Sequence, residues 1–405
     1  MRAYLDHAAT SPLRPEARDA WLAATETVGN ASSIHGGGQA ARRLLEESRE
    51  RLAAVLGCDS VELVLTSGGT ESVNLALKGL WWSRAEGADG LVLPDAEHHA
   101  TMDAVQWLRD HEGARIVPVA VDAHARIRAE EFARAVGGTG VALATALMAN
   151  NEAGTRNDVA ALCAAAAGAG GRGIPLHLDA IAAFGHIPVD FAALRGAAPA
   201  GAGLVALSVS AHKIGGPVGV GALVVSRSAH PAALLHGGGQ QRGLRSGTQD
   251  VAGAAAFAVA AECAEAERTA EAARLRDLRD RLWRGIRALV PTAELLGDPD
   301  ERLPGNVHVL FPGAAGETLL FLLDQAGIAV STGSACQAGV PEPSHVVQAM
   351  GRSDSEARSV LRLSLGRTSG EGDVETFLAA LPDVHRRALA AAAPRRPIPA
   401  RGAAS

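Results

Sequence analysis

From residue 37 to about 226 the apolar positions fall into two alternating textures. Runs spaced at three and four residues predict helices over 37–56, 71–85 and 101–110. Short, nearly continuous apolar runs predict strands over 61–66, 91–94, 116–121, 141–147, 175–179, 204–209 and 221–225. Strand and helix in repeated succession imply an α/β unit with a mostly parallel sheet covered by helices on both faces. Ligands of such sheets bind off the carboxyl ends of the strands, so polar clusters at those ends matter most. After Asp250 the texture changes to one long helix rich in Ala, Glu and Arg that runs to about Leu289. Strands over 306–311, 328–331 and 359–365, helices over 317–326 and 345–350 and a last helix then predict a small α+β unit. The expected division is a large domain over 14–262 and a small domain built from 1–13 and 263–388. Residues 391–405, with Pro394, Pro397 and Pro399 among Ala and Arg, lack apolar periodicity and read as a disordered tail.

Composition narrows the class. A chain of 405 residues with 47% apolar and 20% charged positions can bury a sizeable core. A net charge of −6 offers no footprint for nucleic acid or an anionic membrane. The N-terminus has no apolar signal-peptide segment and no long uncharged apolar run follows, so a cytoplasmic address is expected. Lysine occurs only at 78 and 213, while every other basic residue is Arg. A lysine retained under such a bias is one whose amine is needed. The four cysteines form no C-x-x-C pair, which argues against a zinc knuckle or a disulfide framework. Cys58, Cys163 and Cys263 read as small core residues, whereas Cys336 lies in a loop flanked by Gly333 and Gly339.

Several strings at predicted strand ends carry chemistry. Ser67-Gly68-Gly69-Thr70-Glu71 joins a strand to a helix, where backbone N–H groups and a hydroxyl can converge on a phosphate. An ordinary βα turn with Thr70 as N-cap reads equally well. Asp179 ends one strand run, and Lys213 follows the next with Ser210 and His212 beside it. A lysine and a carboxylate one crossover apart are what a pyridoxal phosphate site requires, one for attachment and one for the ring nitrogen. Taken singly, each is as readily a salt-bridge partner. The adjacent His98 and His99 lack a carboxylate or thiol at ligand spacing, so no metal is expected, and an imidazole there can stack on a planar cofactor. A loop thiol between glycines such as Cys336 suits a nucleophile that must visit a substrate and carry its cargo elsewhere. The glycine-rich stretch 236–248 is too long for a tight turn and reads as a loop reaching across a subunit interface. Arg362, in a strand pattern, suits either a substrate carboxylate or a buried ion pair.

Together these strings resemble the cysteine desulfurases, pyridoxal phosphate enzymes of the class V aminotransferase group within fold type I. The resemblance runs from Tyr4-Leu5-Asp6 to about Gly370 through Gly29-Asn30-Ala31-Ser32, Asn150-Asn151-Glu152, Arg245-Ser246-Gly247-Thr248 and Ser334-Ala335-Cys336. It implies a large domain with a seven-stranded sheet and a small domain carrying the Cys336 loop. It implies that Lys213 attaches the cofactor, Asp179 pairs with the ring nitrogen and His98 stacks on the ring. Gly69, Thr70, Ser210 and His212 would hold the phosphate, with Thr248 added from the neighbouring subunit of a homodimer. Asn151 would contact the ring hydroxyl, and Asn30 and Arg362 the substrate carboxylate. L-Cysteine would become alanine after Lys213 or His98 removes its α-proton, and the sulfur would pass to Cys336 as a persulfide. It would then go to an acceptor protein of iron–sulfur cluster assembly, tRNA thiolation, DNA modification or another biosynthetic route. One departure stands out: the family usually has Gln three residues after the pyridinium Asp, and this chain has Ala182. A selenocysteine lyase, another class V lyase, and a weakened homologue that only binds sulfur acceptors remain alternatives.

Overall fold

A computed structural model describes residues 3–171, 173–333 and 342–392. Among the described residues twelve strands occur: β1 (Ala3–Tyr4), β2 (Leu63–Thr66), β3 (Gly90–Pro94), β4 (Arg115–Val119), β5 (Val141–Leu147), β6 (Pro175–Asp179), β7 (Gly203–Ser210), β8 (Gly221–Val225), β9 (Glu294–Leu296), β10 (Asn306–Leu310), β11 (Ile328–Ala329) and β12 (Val360–Ser364). Seven of them form one sheet in the order β2-β8-β7-β6-β5-β3-β4. Neighbours in it pair in parallel except around β8, which runs antiparallel to both β2 and β7. Only ten residues separate Ser210 from Gly221. That is too short for the crossover a parallel return needs, so the chain doubles back.

Helices cover both faces, which is why β7 is buried at all eight positions and reads as an almost unbroken apolar run. His177 at the centre of β6 is one of the few polar residues buried in the sheet. Thr145 on β5 and Ser208 on β7 satisfy its two ring nitrogens at 2.9 Å and 2.8 Å. The helix Val251–Leu289 serves two cores at once. Its Ala-rich first half, from Ala254 to Ala264, packs into the core of the large sheet, and Leu275, Leu278, Leu282 and Ile286 enter a second core. That second core also contains Ala3, Leu5 and the three-stranded antiparallel sheet β12-β10-β9.

The differences from expectation lie where the apolar pattern is faint. Helix Pro15–Thr25 was not anticipated because it buries only Ala17 and Ala24. Strand β9 has three residues and β1 two, too few to show a period. The expected strand over 61–66 begins instead with a 3₁₀ turn, Ser60–Glu62, closed by a capping box between Asp59 and Glu62. The last helix, Glu371–Ala392, takes in Ala391 and Ala392, which composition had assigned to a tail, and residues 393–405 lie outside the described residues. Among the described residues no helix is long and apolar enough to cross a membrane.

Candidate active site

Because β3, β5, β6 and β7 run parallel, the segments that follow them emerge at one edge of the sheet. They line a cavity of about 320 Å³ that contains Gly69, Thr70, His98, Asn151, Asp179, Ser210, His212, Lys213 and Arg362. Nine expected site residues separated by up to 293 positions are thus brought together. Three are not. Asn30 is exposed, its Oδ1 accepting the Ser32 N–H at 2.9 Å, and Thr248 is exposed on the loop over 236–248. Cys336 lies outside the described residues, which resume at Glu342.

Helix Gly69–Trp82 starts at Gly69 with Gly68 as its N-cap, so Thr70 sits in the first turn and is not the cap. A Cβ on Gly69 would meet Ile181 Cδ1 at 2.3 Å, so any larger residue there would force the Ile181 side chain to move. Glu71 locks the turn by accepting the Ser67 N–H at 2.7 Å, and Arg245 grips the same carboxylate at 2.8 Å. The resulting bonds hold Glu71 below the usual carboxylate range despite its burial. Ser210 is 1% exposed, and its Oγ lines the cavity without a hydrogen-bond partner. A buried hydroxyl beside a helix N-terminus is what an anionic group would satisfy.

Asp179 is 2% exposed, and its Oδ1 accepts the Ile181 N–H at 2.9 Å. Burial pushes it up to about 6, against the pull of that bond and of Lys213. Lys213 donates through Nζ to the carbonyls of Ala8 and Ala9, from the segment that follows β1. His98 accepts the Ala100 N–H on Nδ1 at 3.0 Å and so caps helix His99–Glu112. A nitrogen that accepts cannot hold the proton, so the ring carries it on Nε2. Burial, Lys213 and the neighbouring His99 and His345 lower His98 to about 4. His212 is likewise lowered to about 4 by burial and Lys213, and its Nδ1 lies 3.2 Å from Thr10 Oγ1.

Arg362 is in the buried ion pair of one reading and also faces the cavity, as the other requires. It pairs with Asp6 at 3.1 Å and donates to the Asn151 carbonyl at 3.1 Å while lining the cavity, and its buried Nε has no partner. Asp6 and Glu97 are the site residues that motif reading missed. Asp6 lies in the Tyr4-Leu5-Asp6 string and Glu97 directly precedes His98, and neither spacing marks a role for the carboxylate. Ala182 lines both the main cavity and an adjoining space of about 40 Å³ that it shares with Asn151, Lys213, His7 and His186. That space is large enough to hold a water molecule.

With a buried acid, a lysine, an orphaned hydroxyl at a helix N-terminus and a neutral imidazole in one cavity, the donor set suits a planar, phosphorylated, nitrogen-containing cofactor such as pyridoxal phosphate. Comparison with known proteins agrees in kind. Residues 3–377 match the class V aminotransferase family. An IscS-like cysteine desulfurase of Mycobacterium tuberculosis is 46% identical over 395 residues, covering 96% of this chain and 98% of that protein. A solved NifS-like protein superposes with a TM-score of 0.86 at 31% identity, covering 96% of this chain and 99% of that one. A structure described as SspA in complex with cysteine superposes with a TM-score of 0.77 at 28% identity, covering 90% of this chain and 99% of that one.

Proposed function

The chain belongs to the class V aminotransferase family and, within it, to the cysteine desulfurases, and on that premise we propose how its own residues carry out the reaction. The carrying observation is the meeting of Lys213, Asp179, Ser210 and His98 in one cavity at the strand ends. Pyridoxal phosphate fits this donor set, with Lys213 attaching it, Asp179 holding the ring nitrogen, and Gly69, Thr70, Ser210 and His212 holding the phosphate. Thr248, exposed within one chain, would complete that cup from the partner of a homodimer. When bound, the cofactor supplies a sink for the electron pair left on the substrate's α-carbon.

The side chains do the rest. Arg362, oriented by Asp6, holds the carboxylate of L-cysteine. Lys213 Nζ moves the α-proton. His98 is the poorer acceptor, because its Nδ1 is engaged by Ala100 and its ring is lowered to about 4. Its neutral ring suits it to stacking, and its Nε2–H to donating a hydrogen bond. Asn30, expected to share the carboxylate, is exposed and apart from the cavity, so it would contribute only through a different arrangement of its loop or a second subunit.

The Cys336 thiolate takes the sulfur. Its Sγ forms an S–S bond as the substrate's C–S bond breaks, and the carbon gains a proton in place of sulfur. Alanine and a protein persulfide result without an external oxidant or reductant. The other thiols are unsuited: burial pushes Cys58 and Cys163 up to about 12 and raises Cys263 as well. A sulfur-acceptor protein then receives the persulfide sulfur. Mass spectrometry after treatment with L-cysteine should find sulfur added at Cys336 in step with alanine release. An unmodified Cys336 with normal alanine release would sink this route.

Ala182 gives this enzyme its own signature. The space of about 40 Å³ beside it is large enough for a water where a family glutamine's amide would reach. Ala182→Gln should shift the pH midpoint of the bound cofactor's absorbance by about one unit, the worth of one hydrogen bond to a charged group, and raise turnover. If both stay unchanged, the departure at 182 has no electronic consequence.

A further inference from the structure

The segment 96–98, which leaves β3 and delivers His98, is gripped from the far end of β5. Glu97 is 1% exposed, and its Oε1 accepts the Leu147 N–H at 2.8 Å. In the opposite direction Asn150 donates through Nδ2 to the Ala96 carbonyl at 2.9 Å. These two bonds cross the gap between β3 and β5, where the chain switches from one side of β3 to the other. Each residue that contributes a side chain is followed directly by a cavity residue, Glu97 by His98 and Asn150 by Asn151. A third contact, His345 Nε2 to the Glu97 carbonyl at 2.8 Å, ties the same segment to helix His345–Ala349.

The carboxyl in this clasp has a demanding environment. Its second oxygen, Oε2, is buried without a hydrogen-bond partner. The titratable groups around it are Asp179 on β6, His98 and His99 on its own segment, and His345. Asp179 is the one that acts on it electrostatically, because β5 and β6 place Leu147 opposite Asp179. An ionised Glu97 would leave an unsolvated anionic oxygen and set a second negative charge beside the first. Holding a proton removes both costs. Burial first, and Asp179 after it, push Glu97 up to about 8, although the Leu147 bond pulls the other way.

We infer that Glu97 is a positioning residue that works as an uncharged, proton-bearing clasp between the ends of β3 and β5, holding His98 and Asn151 at the cavity while leaving the negative charge to Asp179. Of its two readouts, only the second rests on the cavity being the cofactor site. The first is the infrared spectrum of the full chain at pH 7, with the cofactor released by hydroxylamine and dialysed away and again with it restored. A protonated-carboxyl stretch that moves on deuteration, fades as pH rises through about 8 and is missing from Glu97→Gln is expected. The second is cofactor affinity. Glutamine keeps the acceptor for Leu147, so Glu97→Gln should bind within about twofold of the parent, while Glu97→Ala should lose about tenfold. The inference is overturned if the parent lacks the band at pH 7, if Glu97→Gln retains it, or if the glutamine variant loses as much affinity as the alanine one. Failure of the parent itself to bind the cofactor would instead remove the reading of the cavity, and the infrared band would still decide the state of Glu97.

Discussion

Lys213→Ala should lower alanine formation from L-cysteine by about a thousandfold or more, because one change removes both cofactor attachment and the proton-moving amine. The purified variant should also lack a borohydride-reducible cofactor adduct at that position. A second readout separates this loss from misfolding. Lys213 helps to lower both His98 and His212, so both imidazoles should titrate at higher pH in the variant by nuclear magnetic resonance. Asp179 should move the same way, since Lys213 is the charge that pulls it down. Retained turnover in the variant would remove Lys213 from the mechanism. Lost turnover with unmoved histidines would place its amine away from the cavity.

Asp179→Asn should separate stability from activity. Activity should fall by about a hundredfold or more, as expected when a buried charged partner of a reacting group is neutralised. Cofactor-free protein should become more stable at neutral pH. The carboxyl stands at about 6 in the folded chain against an ordinary 3.8. Between those values the folded state therefore binds more protons than the unfolded one, and stability falls as pH rises through the window. Above about pH 6 the full cost is present, on the order of 1–3 kcal/mol. Asparagine keeps an oxygen for the Ile181 N–H and removes that cost, so the gain should appear at pH 7 and vanish near pH 4 in thermal unfolding. A less stable variant at pH 7 would mean that Asp179 is not under desolvation strain.

The strand runs of the large sheet were legible in the chain because burial on both faces leaves almost no polar residue in them. The run at 175–179 matches β6, and that at 221–225 matches β8. The direction of β8 was not legible, since an apolar run is the same read either way, and the shortness of the connection decided it. Helix Pro15–Thr25 escaped for the converse reason: with Trp21 and Leu22 largely exposed, its apolar residues mark no single face. Among site residues, Lys213 and Asp179 were found by their place after strand runs. Asp6 and Glu97 were not, because each acts on a residue distant in sequence. Asp6 meets Arg362, 356 positions away, and Glu97 meets Leu147, 50 positions away.

Sequence alone determined the alternation of strand and helix, the long helix after Asp250, and the residue types at the strand ends, because periodicity and turn chemistry are local. It also singled out Lys213 as one of two lysines and Ala182 as a departure. Only the tertiary structure decided the protonation of the site. Burial raises Asp179 and Glu97, lowers His98, and leaves Ser210 Oγ without a partner. These effects depend on which groups share a solvent-poor space, and that is set by strand order and packing rather than by neighbours in the chain.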